Sequence, residues 1–250
     1  MEYCKNCGSE LHDNYCAHCG RKAKQIERIT LIYLIREVIT SLTHVERGFL
    51  YTSWQMLIAP GKTAKEYIDG ERDIHQSPIS YFIIWTTIYI LFLYWIEKAF
   101  GTNAAINYMQ YYGPDTTTRF AISHLSILLV VLMPFDTLYL WLLVTRKHYY
   151  YFETMIAIIY SFGTVILLQF VFAVGAVIIY LISHVSADLR VSDVLKIAYI
   201  VWFTFDFVKV CPLRYKFIKA VAFIILAFGS LTLWRIYLLP PIIQMFFLKN

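Results

Sequence analysis

Five stretches of the chain, residues 79–96, 120–144, 154–183, 194–210 and 220–239, are dominated by apolar side chains over lengths that suit a membrane-crossing helix. A hydrocarbon layer about 30 Å thick needs roughly 17–25 such residues. Inside it every backbone N–H and C=O must be bonded within the segment, so helices are the expected solution. The fourth stretch is the weakest, because it carries Lys196, Asp206 and Lys209. The third is long enough for a tilted helix. Only 16% of the residues are charged, against about 25% in a soluble domain, the deficit that several spans would produce. The expected fold is therefore an all-α polytopic membrane protein with about five transmembrane helices over residues 79–239. Pro240-Pro241 ends the last span, and residues 240–250 form an apolar interfacial tail.

Orientation follows from the Lys and Arg residues between the spans. Lys62, Lys65, Arg72, Arg146, Lys147, Lys209, Arg214, Lys216 and Lys219 fall on one side, and Lys98, Arg119, Arg190 and Lys249 on the other. Nine against four places the N-terminus in the cytosol and the C-terminus outside, as an odd number of spans requires. No cleavable signal sequence is expected, because the first apolar run begins well after the cysteines.

Ahead of the spans lie Cys4-Lys5-Asn6-Cys7-Gly8 and Cys16-Ala17-His18-Cys19-Gly20. Two C-x-x-C turns bring four sulfurs into a tetrahedral shell, and a shell closed by four thiolates with no open position is that of one structural Zn2+. Gly8 and Gly20 free the backbone where amides turn towards sulfur. A unit of residues 1–24 is too small for a hydrophobic core, so the metal would supply its folding free energy. A pair of disulfides needs an oxidising compartment, which a cytosolic N-terminus denies it. A thioredoxin-type C-x-x-C needs a βαβ setting that this chain does not offer. His12 and His18 are available as substitute ligands, but four cysteines already complete the set.

Residues 25–78 read as an amphipathic helical neck. Thr30 can cap a helix whose Leu31, Leu34, Ile35, Val38, Ile39 and Leu42 form one stripe. A second helix runs from about 49 to 58 and stops at Pro60-Gly61. A third, over 63–69, ends at Gly70. Such helices either lie in the interface, with Phe49, Trp54 and Leu57 dipping into lipid, or pack on the cytosolic face of the bundle. Gly61-Lys62-Thr63 lacks the first glycine and the strand of a phosphate loop. Residues 1–78 hold ten Lys/Arg against ten Asp/Glu, so no basic face for nucleic acid is expected.

Ionisable and polar groups at membrane depth mark the candidate sites. Asp136 follows Pro134 within the second span, Gln169 lies near the middle of the third, and Asp206 lies near the cytosolic end of the fourth. One reading is an ion or proton relay, or an Asp136–Asp206 carboxylate pair. The plainer one is a structural contact of Asp136 with a hydroxyl, Arg146 or Lys147. Arg72, His75 and Tyr81 flank the first span, where they either bind lipid phosphate or fix the joint between neck and bundle. Cys211 reads as an inert buried thiol.

The order of a short cysteine ribbon, then Gly48-Phe49, Thr52, Pro60-Gly61, Tyr67, Gly70, Arg72, Pro78 and Tyr81, then a multi-span region with Met133-Pro134, resembles the DUF3667 family of bacterial membrane proteins, found mostly in Bacteroidetes. The resemblance implies a place in a bacterial inner membrane, with the C-terminus periplasmic, and it brings no established activity. The five-span count is similar to that of Yip1-like membrane proteins, by analogy of fold alone. The expected function is a non-enzymatic membrane scaffold or adaptor whose ribbon docks a cytosolic protein. A small transporter or channel using Asp136 is the alternative.

Overall fold

The computed structural model describes residues 2–3, 9–11, 16–18, 30–32, 48–72, 74–100, 125–184, 189–211 and 214–233. Cys4, Cys7 and Cys19, the helix expected after Leu31-Ile32, and the tail beyond 233 lie outside them. Two short strands, β1 (Glu2–Tyr3) and β2 (Glu10–Leu11), pair antiparallel with Glu2 opposite Leu11 and Tyr3 opposite Glu10. The other described elements are helical: α1 (Phe49–Ile58), α2 (Pro60–Asp69), α3 (Pro78–Phe100), α4 (Leu125–Leu140), α5 (Tyr151–Ser183), α6 (Leu189–Val210) and α7 (Lys216–Leu233).

Local chemistry sets the boundaries. Pro60 has no N–H to continue α1, so the chain breaks at Ala59 and restarts with proline in the first turn of α2. Gly70 closes α2 at φ 115°, its N–H directed to the Glu66 carbonyl at 3.1 Å, in the left-handed conformation that glycine adopts without strain. Pro78 opens α3. Beyond Leu140, α4 widens into a π turn over Trp141–Thr145, in which Arg146 N–H reaches back five residues to the Trp141 carbonyl at 2.8 Å.

Two described helices are long and apolar enough to cross a bilayer, over Pro78–Ile96 and Tyr151–Ser183. The other expected spans are helical where described: α4 and its π turn hold an apolar stretch over Val131–Thr145, α6 carries charged side chains at both ends, and α7 is described as far as Leu233.

The helices pack around α5, which touches α1, α2, α3, α4 and α6. Gly163 of α5 faces Tyr81 and Phe82 of α3, where an added Cβ would lie 2.7 Å from the Tyr81 ring. Small residues allow such close approach of membrane helices. Both α3 and α5 run away from the same end of the bundle. The 146–150 turn, Cys211 and the C-terminus of α2 gather at that end, where Tyr149 Oη donates to Asp69 Oδ1 at 2.9 Å. Lys65, Arg146, Lys147 and Lys216, four of the Lys and Arg residues assigned above to the inner side, lie at this end.

Candidate functional site

The segment from Gly48 to Trp85 is locked onto the bundle by buried polar contacts. A Cβ at Gly48 would fall 2.4 Å from the Ile74 carbonyl oxygen, so glycine lets α1 begin against the 74–76 turn. One turn on, Thr52 Oγ1 accepts the Gln76 N–H at 2.8 Å. Ser53 Oγ accepts the Trp85 indole N–H at 3.1 Å and donates to the Phe49 carbonyl at 2.9 Å. From α5, the Tyr160 hydroxyl donates to the Gln76 carbonyl, and Thr164 pairs with the Tyr81 hydroxyl at 3.1 Å. The Tyr160 ring lies 5.6 Å from Tyr67 and 5.7 Å from Tyr81. Every buried donor bonded here avoids the cost of roughly 1–3 kcal/mol of an unmade hydrogen bond.

On the far side of the hairpin, α2 meets α6 without a spacer. A Cβ on Gly61 would lie 2.2 Å from Phe207 N and 2.4 Å from the Asp206 carbonyl carbon. Ala59 provides no side-chain cap for α2. Asp206 does so from α6, its Oδ2 accepting the Gly61 N–H at 2.8 Å and the Lys62 N–H at 3.4 Å. A carboxylate suits the positive end of a helix. The Asp136–Asp206 pair is thus not formed. Asp206 is spent on α2, and no hydrogen bond joins it to Asp136 among the described residues.

Of the three residues flanking the first span, two are enclosed. Tyr81 has no exposed surface, and His75 is buried with its Nε2 3.3 Å from Glu66 Oε2 and its ring 5.7 Å from that of Tyr51. Arg72 stays half-buried, its guanidinium 5.5 Å above the Tyr67 ring and its Nε donating to the Tyr67 carbonyl at 3.3 Å. Burial pulls the His75 imidazole below its ordinary 6.5, and the Glu66 carboxylate and then Glu71 oppose that shift. Lys62, 3.4 Å from Glu66, tempers the Glu66 charge. A neutral buried imidazole is favoured by folding, so its contribution is full above pH 6.5 and lost as pH falls through the lowered folded value. Amide exchange in α2 is expected to quicken, after correction for intrinsic rates, as pH falls below 6.5. His75→Gln is expected to flatten that slope; an unchanged slope would place the titrating group elsewhere.

Asp136 is only 4% exposed, and its Oδ1 meets no hydrogen-bond partner among the described residues. The expected contact with Arg146 or Lys147 is not made. Both cations are exposed in the turn, about 15 Å of helix beyond Asp136 at 1.5 Å per residue. The nearest hydroxyl in sequence, Thr137, donates instead to the Met133 carbonyl of its own helix at 2.6 Å. Gln169 is also buried with Oε1 unbonded, but the two polar groups are not gathered. Tyr151 Oη reaches the Pro134 carbonyl at 2.9 Å, which keeps Asp136 near the start of α5, whereas Gln169 lies about 27 Å further along it.

At the N-terminal end Cys16 is buried, 1% exposed, with its sulfur 3.0 Å from Ser9 Oγ. A sulfur enclosed in a unit without a hydrophobic core, beside a hydroxyl able to donate to a thiolate, fits a metal-thiolate shell. At the basic end of the bundle, burial pushes the Cys211 thiol up to about 11, so it stays protonated and unreactive at neutral pH.

Several of these roles had no signal in the sequence. The Asp206 cap, the backbone approach at Gly48, Gly61 and Gly163, and the Thr164 and Tyr160 contacts all join segments remote in sequence.

Residues 46–90 match the model of a family described as a protein of unknown function, DUF3667. No curated protein and no solved structure matches the chain. The matched segment contains α1, α2 and most of the α3 span, so it coincides with the locked joint.

Proposed function

We propose that this chain, whose residues 46–90 match the DUF3667 model, is a membrane-embedded adaptor without enzymatic activity. A Cys4, Cys7, Cys16 and Cys19 zinc ribbon, borne on a helical neck, is held against a bundle of five membrane helices. The observation that carries this reading is the use made of the matched segment. Gly48, Thr52, Ser53, Gly61 and Tyr81 all serve to fix α1 and α2 onto α3, α5 and α6. A segment built to hold one part of a chain rigidly against another suits a docking protein better than a catalyst. The nine Lys and Arg residues of the 62–72, 146–150 and 209–219 segments support a cytosolic ribbon in a bacterial inner membrane, with the C-terminus periplasmic. Lipids surround the bundle, and a soluble protein docks on the ribbon. Crosslinking and co-purification from native membranes, comparing wild type with Cys4→Ser/Cys7→Ser at equal membrane levels, are expected to lose one soluble protein. An unchanged set of partners would overturn the docking role.

A second reading rests on Asp136, a carboxylate buried in α4 beside Pro134 whose Oδ1 has no hydrogen-bond partner among the described residues. Unpaired ionisable groups at such depth serve proton or ion pathways. In liposomes under a proton gradient, flux through the wild-type chain and its loss in Asp136→Asn would establish transport. Equal leakage from both would remove it.

A further inference from the structure

Helix α1 carries large apolar side chains on its outer face as well as its inner one. Its inward positions are Thr52, Ser53 and Met56, whereas Leu50, Tyr51, Trp54 and Ile58 point away from the protein. Leu50, Trp54 and Ile58 recur every four residues, one stripe along a helix, and are 75%, 62% and 51% exposed. The next helix has the ordinary polarity: α2 buries Ala64, Tyr67 and Ile68 and turns Lys62, Lys65 and Asp69 outward. The outer surface of the hairpin therefore changes from apolar to charged at Ala59-Pro60.

The depth of each half follows from its bonds. Gln76, bonded to Thr52, stands just outside α3. Trp85, bonded to Ser53, stands seven residues inside it, about 10 Å along the helix axis. Further along α1, the Met56 carbonyl accepts the Tyr199 hydroxyl at 3.3 Å. Tyr199 is eleven residues before the end of α6, about 16 Å, whereas Asp206, which caps α2, is only about 6 Å from that end. So α1 descends alongside the first span and α2 climbs back out.

We propose that α1–α2 is a re-entrant hairpin, with the Leu50–Trp54–Ile58 face of α1 lying against the acyl chains of the leaflet at the loop-bearing end, and with α2 among headgroups and water. The proposal rests on α3 spanning the membrane. The coincidence of the polarity boundary with the depth boundary selects lipid as the occupant. A protein partner covering α1 would have no reason to stop where the helix leaves the depth of Trp85. Trp54 and Tyr51 then serve as interfacial anchors, their rings in the acyl region and their polar atoms towards the headgroups. Thr52 and Ser53 face inward because their hydroxyls are needed by Gln76 and Trp85, where no water is available to bond them.

The test is a nitroxide scan on the full chain in vesicles of phosphatidylethanolamine and phosphatidylglycerol. The label is carried on a non-canonical side chain, so that the native cysteines are untouched. Collision with oxygen, which concentrates in hydrocarbon, is compared with collision with a water-soluble nickel chelate. Labels at 50, 54 and 58 are expected to favour oxygen severalfold, as at exposed Ile90 of α3, and labels at 62 and 65 to favour nickel. If 90 favours oxygen while 54 favours nickel, the hairpin lies in water and the proposal alone fails. If 54 is shielded from both reagents, protein covers the face and the proposal fails again. If 90 itself favours nickel, α3 does not span, and the membrane reading falls together with the hairpin.

Discussion

Gly61→Val is expected to drive α2 off α6 and to cost about 1–3 kcal/mol or more, the range of overpacked cores. The added Cβ would stand 2.2 Å from a backbone nitrogen of Phe207. Backbone cannot swing aside as a flexible side chain can, so one helix must translate. That translation also withdraws the Gly61 and Lys62 N–H groups from Asp206 Oδ2. Asp206→Ala alone is expected to cost about 0.5–2 kcal/mol, the usual worth of an N-terminal cap. In the Gly61→Val background the same change should cost little, because the cap is already broken. Gly175 of α5 supplies the control, since nothing lies within 4 Å of its hypothetical Cβ. Gly175→Ala should be neutral or slightly stabilising, as alanine is the better helix former. Thermal unfolding of the purified chain in detergent, with protease cleavage near residue 61, measures all four variants. A Gly61→Val midpoint equal to wild type would mean that α2 and α6 are not packed as described.

Which of these features could be read from the chain alone depends on the range of the interaction. The Pro60 break, the Gly70 closure and the Pro78 start are decided by a residue's own φ or its missing N–H, and they emerge at the expected positions. The third apolar run, 154–183, is likewise a helix, Tyr151–Ser183, because its length and apolarity are local properties. The interfacial alternative would put Phe49, Trp54 and Leu57 together in lipid, and the structure divides them. Phe49 packs 5.2 Å from the Trp85 ring, Leu57 packs against the core, and Trp54 faces out. Apolarity gave no guide there because both faces of α1 carry large apolar groups, and the choice between them was made by the Thr52 and Ser53 hydroxyls. The role of Asp206 was hidden for a different reason. The N–H groups it caps lie 145 and 144 residues away, and nothing near Asp206 in sequence marks it as a cap rather than half of a carboxylate pair. That α6 does not read as a span also has a local cause: it carries Lys196 and Asp193 in an ion pair near one end and Asp206 and Lys209 near the other.

The largest effect is expected from removing the metal that the four N-terminal cysteines are proposed to hold. Purified chain should contain one zinc ion, and a strong chelator or Cys4→Ser/Cys7→Ser should abolish it. Loss of zinc should bring β1–β2 amide protection to that of an unfolded peptide. In comparable small zinc units the apparent binding free energy is about 10–16 kcal/mol at neutral pH, and nearly all of it is folding free energy. The described strands give a reason to expect no other source of stability. Each has two residues, and Tyr3 is 57% exposed. Affinity should fall as pH drops, because thiols must lose protons to bind the ion. The membrane helices should be indifferent, since α1 and α2 are fixed to α3, α5 and α6 by bonds that involve no residue before Gly48. The helical melting transition is then unchanged while the ribbon unfolds. Retained zinc-free protection over Glu2–Leu11, or a mass that rises by two hydrogens per bridge on reduction, would replace the metal by disulfides. The N-terminus would then have to lie on the oxidising side of the membrane, and the whole orientation would reverse with it.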